Sequence, residues 1–351
     1  MANESPIISA RPRITINGER RTDLDDAILQ ASIQLPLAGQ SSAEMNLQNW
    51  GPADAGNGEP DIRFTDLAFG DEVEIQMSEE GDGVIFRGQI TGIEERYGDG
   101  SPHLIILAED ALHRLARQRH SRSFEDSGLG DVVQSIAGEA GLDADINVGD
   151  VNGQWLQLNE SNLALLQRLL TPIAIWPRLE EGVLRAKPEE ADASPVIVDA
   201  QDNALQVRII ADLNHQPREV KVLGYDAAAA QGVEATHTSL EPAPSGSTGA
   251  DALQQLGWEG ESLYPQPFAL NQEYGDLLAK GRFKYQASRF LHGDVLCKGV
   301  PELRSGKQVQ LKGVSERLAG TYQVVHCTHV FDSTNGYQTR LKVNRADWND
   351  A

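Results

Sequence analysis

The sequence is short of several things, and each shortage closes off a class of function. It has two cysteines, Cys297 and Cys327, in 351 residues. That is no disulfide framework, so both are expected to be reduced, mostly buried thiols. No apolar run approaches the length of about 18 residues that reads as a membrane span. The opening residues, MANESPIISARPR, lack the apolar core of a secretory leader, and synthesis in the cytoplasm is the expectation. Cations are scarce: 30 Lys and Arg stand against 52 Asp and Glu, a net charge of −22. No basic tract with interleaved aromatics is present, so the footprint of a nucleic-acid reader is missing. Self-repulsion of this size keeps a chain soluble.

Catalytic motifs are equally thin. There is no G-x-S-x-G elbow. Gly128-Leu129-Gly130 begins like a dinucleotide fingerprint, but Val133 stands where the third glycine belongs. A loop rather than a clear strand is expected before it, and a helix N-terminus capped by Ser127 is the simpler expectation. Ser305–Gln308 lacks the upstream glycine and the following Ser or Thr of a P-loop. The acidic groups Asp23, Asp25, Asp26 and Glu79, Glu80, Asp82 have no EF-hand spacing and read as solvated loops.

One stretch does suggest chemistry. GTYQVVHCTHVF, Gly320 to Phe331, holds His326, Cys327 and His329 within four residues. Its β-branched and aromatic residues favour a strand. Alternation then puts Tyr322, Val324, His326, Thr328 and Val330 on one face and Gln323, Val325, Cys327, His329 and Phe331 on the other. The histidines point apart and cannot share an ion without a bulge, and no second Cys/His cluster follows at ligand spacing. No catalytic, cofactor-binding or metal-ligating residue is expected.

What the sequence has is pattern. At 40% hydrophobic and 23% charged residues it reads as a globular protein long enough for two or three domains. Arg13–Ile16 alternates and meets an Asn17-Gly18 hairpin turn. Leu29, Ala31, Ile33 and Leu35 alternate with polar residues, as do Val73, Ile75 and Met77. Residues 83–110 read as three strands split at glycines. The period then lengthens: residues 110–119 and 128–142 are expected to be helical, the latter with Leu129, Val132, Val133, Ile136, Ala137 and Ala140 on one face and Gly141 at its end. A further helix is expected at 159–170, with Leu163, Leu166, Leu169 and Leu170 as its stripe. Strands resume at 182–188 and 218–227. Residues 226–282 are poor in bulky apolars and read as an extended connector with one short helix near Ala250–Leu256. Strands return at 306–313, 320–331 and 337–345, a meander.

Two segments carry a resemblance. The first has Asp110 followed by Leu-His-Arg-Leu (Leu112–Leu115), then Phe124-x-Asp126 before a helix ending in Gly141-Leu142. Gln157-x-Asn159-Glu160-Ser161 then opens a Leu-rich helix. The second has Gly299-x-Pro301, Gly306 before a strand, Gly320-x-Tyr322-x-Val324, His329, and Gly336-Tyr337-x-Thr339. In this order they resemble the phage late control protein D family, which shares its module with the hub part of the VgrG spike proteins of type VI secretion. The resemblance spans roughly residues 60–225 and 282–346.

That resemblance implies a β-rich α+β chain: a first β-barrel domain over 1–110, a mixed α/β middle over 111–225, the connector over 226–282, and strands of a second tube-like β-barrel over 283–351. It implies a non-enzymatic baseplate hub that adapts a sixfold inner tube to a threefold spike, in a contractile-tailed phage, a bacteriocin or an extracellular injection system. The hub would be assembled in the bacterial cytoplasm. The partners implied are two further copies in a homotrimer, a separate spike protein, the inner tail tube protein, baseplate wedge proteins, and tape measure or cargo in the lumen. The sequence ends at Ala351 with no β-helical needle, which makes the separate spike the expectation. His329 falls where the family has a structural histidine. A tail-associated cell-wall-degrading enzyme is the alternative. Part of the negative charge is expected to line the channel, or else to be spread evenly for solubility.

Overall fold

The computed structural model describes residues 11–52, 59–77, 83–98, 100–266 and 271–349. The acidic group Glu79, Glu80, Asp82 lies outside them. The first block gives the large sheet seven strands: β1 (Arg13–Ile16), β2 (Glu19–Arg20), β3 (Ile28–Pro36), β4 (Ser42–Gln48), β5 (Glu72–Gln76), β6 (Val84–Arg96) and β7 (His103–Glu109). The middle carries α1 (His113–Arg117), β8 (Arg119–Gly128), α2 (Leu129–Glu139), β9 (Asn152–Ser161) and α3 (Asn162–Leu170). Then follow β10 (Val196–Asp199), β11 (Ala204–Ala211), β12 (Glu219–Asp226), β13 (Gln231–His237), α4 (Gly249–Leu256), β14 (Glu261–Gln266) and α5 (Gln272–Ala287). The last block is β15 (Leu291–Lys298), β16 (Gln308–Lys312), β17 (Gly320–Asp332) and β18 (Gly336–Arg345).

The two strand blocks are one sheet. Its thirteen strands run β11-β15-β18-β17-β3-β4-β7-β6-β5-β1-β2, with β16 on β17 and β10 on β16. The seam is β17 on β3, where His326 faces Pro36 and Asp332 faces Gln30. Ala31, Ile33, Met45, Ile75, Ile106, Cys297, Cys327 and Leu341 all belong to the one apolar cluster beneath the sheet. The chain is β-rich α+β, as expected; among the described residues no closed barrel forms, because the sheet ends at β11 and β2.

A second core holds the middle together. The buried stripes of α2 (Leu129, Val132, Val133, Ile136, Ala137) and α3 (Leu163, Leu166, Leu169, Leu170) meet there with Trp155 and Leu184. Ser161 caps α3 by accepting from the Ala164 N–H at 3.2 Å.

Several expectations need correcting. Residues 83–110 hold two strands, not three. Gly88 and Gly92 lie inside β6, where a Cβ on Gly88 would stand 2.4 Å from the Glu109 carbonyl oxygen. Glycine marks close approach there, not a turn. The expected helix at 110–119 shrinks to α1, and the strand β8 runs straight into α2. Ser127 does not cap α2: its hydroxyl donates to the Glu125 carbonyl, and the Asp131 carboxylate accepts from the Gly128 N–H. Residues 196–211, assigned to the middle, supply β10 and β11 to the large sheet.

The stretch 226–282 is not an extended connector. It folds back as β13 and β14, which flank β12, and as α4 and the start of α5. Only the short helix near Ala250–Leu256 was expected. The apolar signal was thin because small residues make the contacts: α5 buries Gly275, Ala279 and Gly281 beside Leu278 and Phe283.

Candidate functional site

The suggestive stretch of β17 is a core element. The strand is bulged between Val324 and His326. Ahead of the bulge Tyr322 and Val324 point inward; after it Cys327, His329 and Phe331 do. A bulge adds one residue and flips the parity of the strand, so neither alternating set keeps one face throughout. It lies ahead of both histidines and leaves them on opposite sides. His326 faces Lys342 and Pro36 on the solvent side. His329 is fully buried and faces Thr339 and Ile33.

His329 has structural partners on both nitrogens. The Tyr337 hydroxyl lies 2.8 Å from Nδ1, and Nε2 lies 3.0 Å from the Leu303 carbonyl. A carbonyl only accepts, so Nε2 carries the proton and Nδ1 accepts from the tyrosine. Burial pushes the imidazole down to about 4 and the Cys297 thiol up to about 12; it raises Cys327 as well. Neutral, enclosed groups of this kind hold strands in register. Among the described residues no group of His, Cys, Asp and Glu is placed to hold a metal ion.

Two other buried polar sites are braces. Asp110, at the end of β7, accepts from the backbone N–H of Ser41 at 2.7 Å and of Leu112 at 3.0 Å, tying the β3–β4 turn to the entry of α1. Burial outweighs these donors and lifts its carboxyl to about 6. Arg178 grips Glu189 with two bonds of 2.7 and 3.0 Å, and Arg185 reaches the same carboxylate at 2.9 Å. Asp25 of the first acidic group accepts from the Ile14 N–H at 2.7 Å and pairs with Arg20. Asp23 pairs with Arg21 at 2.8 Å. These acids have protein partners instead of a cation.

What remains open is surface. In register across nine strands, Gln206, Leu296, Arg340, Thr328, Gln34, Ser42, Glu109, Gln89 and Glu72 form one row on the solvent face. The neighbouring row runs Gln338, Val330, Ser32, Glu44 and Leu107. Uncharged polar side chains dominate the middle, on β17, β3 and β4. Charge divides toward the ends: Arg208, Lys298, Arg340 and Lys342 with Asp294 lie on β11, β15 and β18. Glu44, Glu72, Glu74, Glu94 and Glu109 with Arg87 and Arg96 lie on β4 to β7.

The β11 edge is also where the structure has a cavity. About 470 Å³ of space lies beside the strand, lined by Leu205, Val207 and Ile209 and closed by Val314 and Leu318. Leu205 is 50% exposed on this edge. Periodicity alone did not point to it, because β11 joins the sheet through long-range pairing.

This architecture is that of known tail proteins. The 43 kDa tail protein of prophage MuSo2 from Shewanella oneidensis matches with a TM-score of 0.71 at 13% identity, over 96% of this chain and 98% of that one. A tail protein from Neisseria meningitidis MC58 matches at 0.64 and 13% identity, over 95% and 96%. The E. coli c3393 protein, described as a type VI secretion component similar to the T4 bacteriophage tail proteins gp27 and gp5, matches at 0.60 and 12% identity, over 96% and 79%. At such identities the likeness is one of fold, and at that level the resemblance read from the motifs is met. No curated protein matches the sequence. The family model described as the Alg8 N-terminal domain matches residues 64–332, most of the chain and both parts of its large sheet, and the chain therefore belongs to that family.

Proposed function

We propose that this chain is a non-enzymatic hub of a contractile injection machine, a homotrimer that joins a sixfold inner tube to a threefold spike. The observation that carries this reading is the single thirteen-stranded sheet, whose main run is unpaired at β11 and at β2. One wall-like surface with an open edge at each end suits a ring in which β11 of one copy meets the β1–β2 end of the next. Heterologous contacts close into a ring when the rotation between copies is one third of a turn. The two halves of the sheet are the tube-like units, completed as walls by assembly. The fold it shares with tail proteins supports the same reading.

The polar face would line the channel. Its Gln, Ser, Thr and Asn side chains give passing cargo little to adhere to. The wall is acidic over β4 to β7 and basic over β15 and β18, so the proposed lumen is divided in charge and not uniformly acidic. The enzyme reading gains nothing from Asp25, Asp110 and His329, whose partners are backbone groups, Arg20 and Tyr337. Light scattering on the purified chain, alone and with its spike protein, tests the proposal. A mass three times that of the chain is expected. A stable monomer with the spike bound would count against the hub.

A further inference from the structure

Three arginines in one short run, Arg114, Arg117 and Arg119, are exposed, and among the described residues none of them takes part in an ion pair. Each guanidinium is set by a neutral acceptor instead. Arg114 donates to the Gln89 side-chain oxygen at 3.0 Å, Arg117 to Nδ1 of His113 at 3.1 Å, and Arg119 to the Asn159 carbonyl at 2.7 Å. A guanidinium has five N–H donors, so each keeps most of them for a partner. Arg114 and Arg117 are three apart on α1, which makes them neighbours on its surface, and Arg119 opens β8. The acids that flank the run are engaged elsewhere. Asp110 takes the backbone N–H groups of Ser41 and Leu112, Glu109 accepts from Gln40 at 2.5 Å, and Glu160 is held by Arg168 at 2.5 Å. Glu72, opposite Gln89 in the sheet, makes no ion pair with Arg114. On a chain of net charge −22 this run is a local reversal of sign.

An apolar ridge adjoins the run. Among the described residues β8 and β9 pair with each other and with no further strand. One face of the ribbon packs Phe124 and Trp155 into the second core. The other carries Leu156 and Leu158, 51% and 64% exposed, opposite Ser123 and Ser121. Alternation along β8 puts Arg119 on the same face as these serines, so the basic run begins where the ridge ends. At the other end stands Glu125, which accepts from the Ser123 hydroxyl at 3.2 Å. The surface therefore has a direction: basic, then apolar, then acidic.

We infer that this surface binds a segment of a partner protein in which a cluster of carboxylates adjoins apolar side chains. The carboxylates lie over Arg114, Arg117 and Arg119, and the apolar groups cover Leu156 and Leu158. Charge selects the acidic half of the partner, because a guanidinium fork matches a carboxylate in shape and sign. The exposed leucines select the apolar half. A nucleic acid fits less well: it is a longer polyanion, and laid along β8 it would run from Arg119 onto Glu125 and Asp126. The proposal stands apart from the hub reading, since it uses neither end of the large sheet.

The probe is a labelled peptide of four glutamates, then serine, leucine, serine and leucine, followed by fluorescence anisotropy with the full chain. Saturable binding is expected, weaker at high salt. Reversing two charges together, Arg117→Glu with Arg119→Glu, should weaken it about tenfold or more. Lys298→Glu with Lys312→Glu makes the same change in net charge at exposed sites on β15 and β16, and should leave binding within about twofold of wild type. Leu158→Ser should cost about threefold or more. Circular dichroism and urea midpoints check that each variant folds. Should loss of the Arg117 bond to His113 unsettle the fold, Arg114→Glu with Arg119→Glu takes its place. No saturable binding by the wild type, equal loss in the arginine and lysine variants, or full retention in the arginine variant would overturn the proposal. So would a run of eight thymidylates that binds as tightly as the peptide, which would give the surface to a phosphate polymer.

Discussion

The Tyr337 hydroxyl donates to Nδ1 of His329 across 2.8 Å, inside the sheet where β18 lies against β17. The pair fixes the imidazole as neutral and turns its remaining proton toward Leu303, so a residue that looks like a ligand in the sequence is a strut.

The strut has a pH signature. His329 titrates at about 4 in the folded chain against 6.5 when unperturbed, so the unfolded chain binds the extra proton between those values. Stability is then fully present above about pH 6.5 and falls by about 3 kcal/mol as pH drops to about 4. Asp110 acts in the opposite sense: raised from 3.8 to about 6, it lets the folded chain hold the extra proton and stabilises as pH falls through that window. The two partly offset in the wild type. Urea midpoints of His329→Gln between pH 7.5 and 4.5 should show a smaller acid loss than wild type. An unchanged slope would deny His329 this role.

How much of this was legible follows from the range of the interactions involved. Ala31, Ile33 and Leu35 alternate cleanly because β3 has one face on the core, and Leu163, Leu166 and Leu170 repeat at helical spacing for the same reason. Alternation alone placed His326 and His329 on opposite faces, as they lie. The actual partners of His329 could not be read, because Leu303 and Tyr337 reach it through a loop and a neighbouring strand. The flip at Val325, the pairing of β10 with β16, and the contacts of α5 through small residues leave no local trace. The exposed edge was also invisible, since exposure of Leu205 depends on which strand ends a sheet.

Gly281 separates helix propensity from packing. Alanine in a helix interior gains about 1 kcal/mol over glycine. A Cβ at 281 would stand 2.4 Å from the Ile173 Cα and 2.6 Å from the Pro172 carbonyl oxygen. Both are backbone and cannot swing aside, so overpacking at about 1–3 kcal/mol should win. Gly281→Ala is expected to destabilise. Gly138→Ala in α2, with nothing within 4 Å, should stabilise by about 0.5–1 kcal/mol. Chemical denaturation compares the two; a stabilised Gly281→Ala would show that α5 can move off Ile173.

Glu189 holds two guanidiniums out of water. Arg178 and Glu189 side chains are 6% and 11% exposed. Removing the carboxylate leaves the two guanidiniums to the half-exposed Glu180, which pairs with Arg178 and lies 3.4 Å from Arg185, at a cost of about 1–3 kcal/mol. Glu189→Gln should show it as a lowered denaturation midpoint. Glu94→Gln, whose pair with Arg96 is exposed, should stay close to wild type. If the two variants match, this cluster carries no stability.

The open edge of β11 gives the sharpest test of assembly. Leu205 lies on the cavity and is half exposed, so a charge there meets water in the lone chain. Leu205→Glu should therefore leave the fold within about 0.5 kcal/mol of wild type. In a ring the same residue would be pressed against the β1–β2 end of the next copy and shut off from water. Burying a carboxylate costs several kcal/mol. Sedimentation should then show the variant as a folded monomer at concentrations where the wild type is a trimer. A variant that still forms trimers, with circular dichroism and midpoint unchanged, would move the subunit contact away from β11.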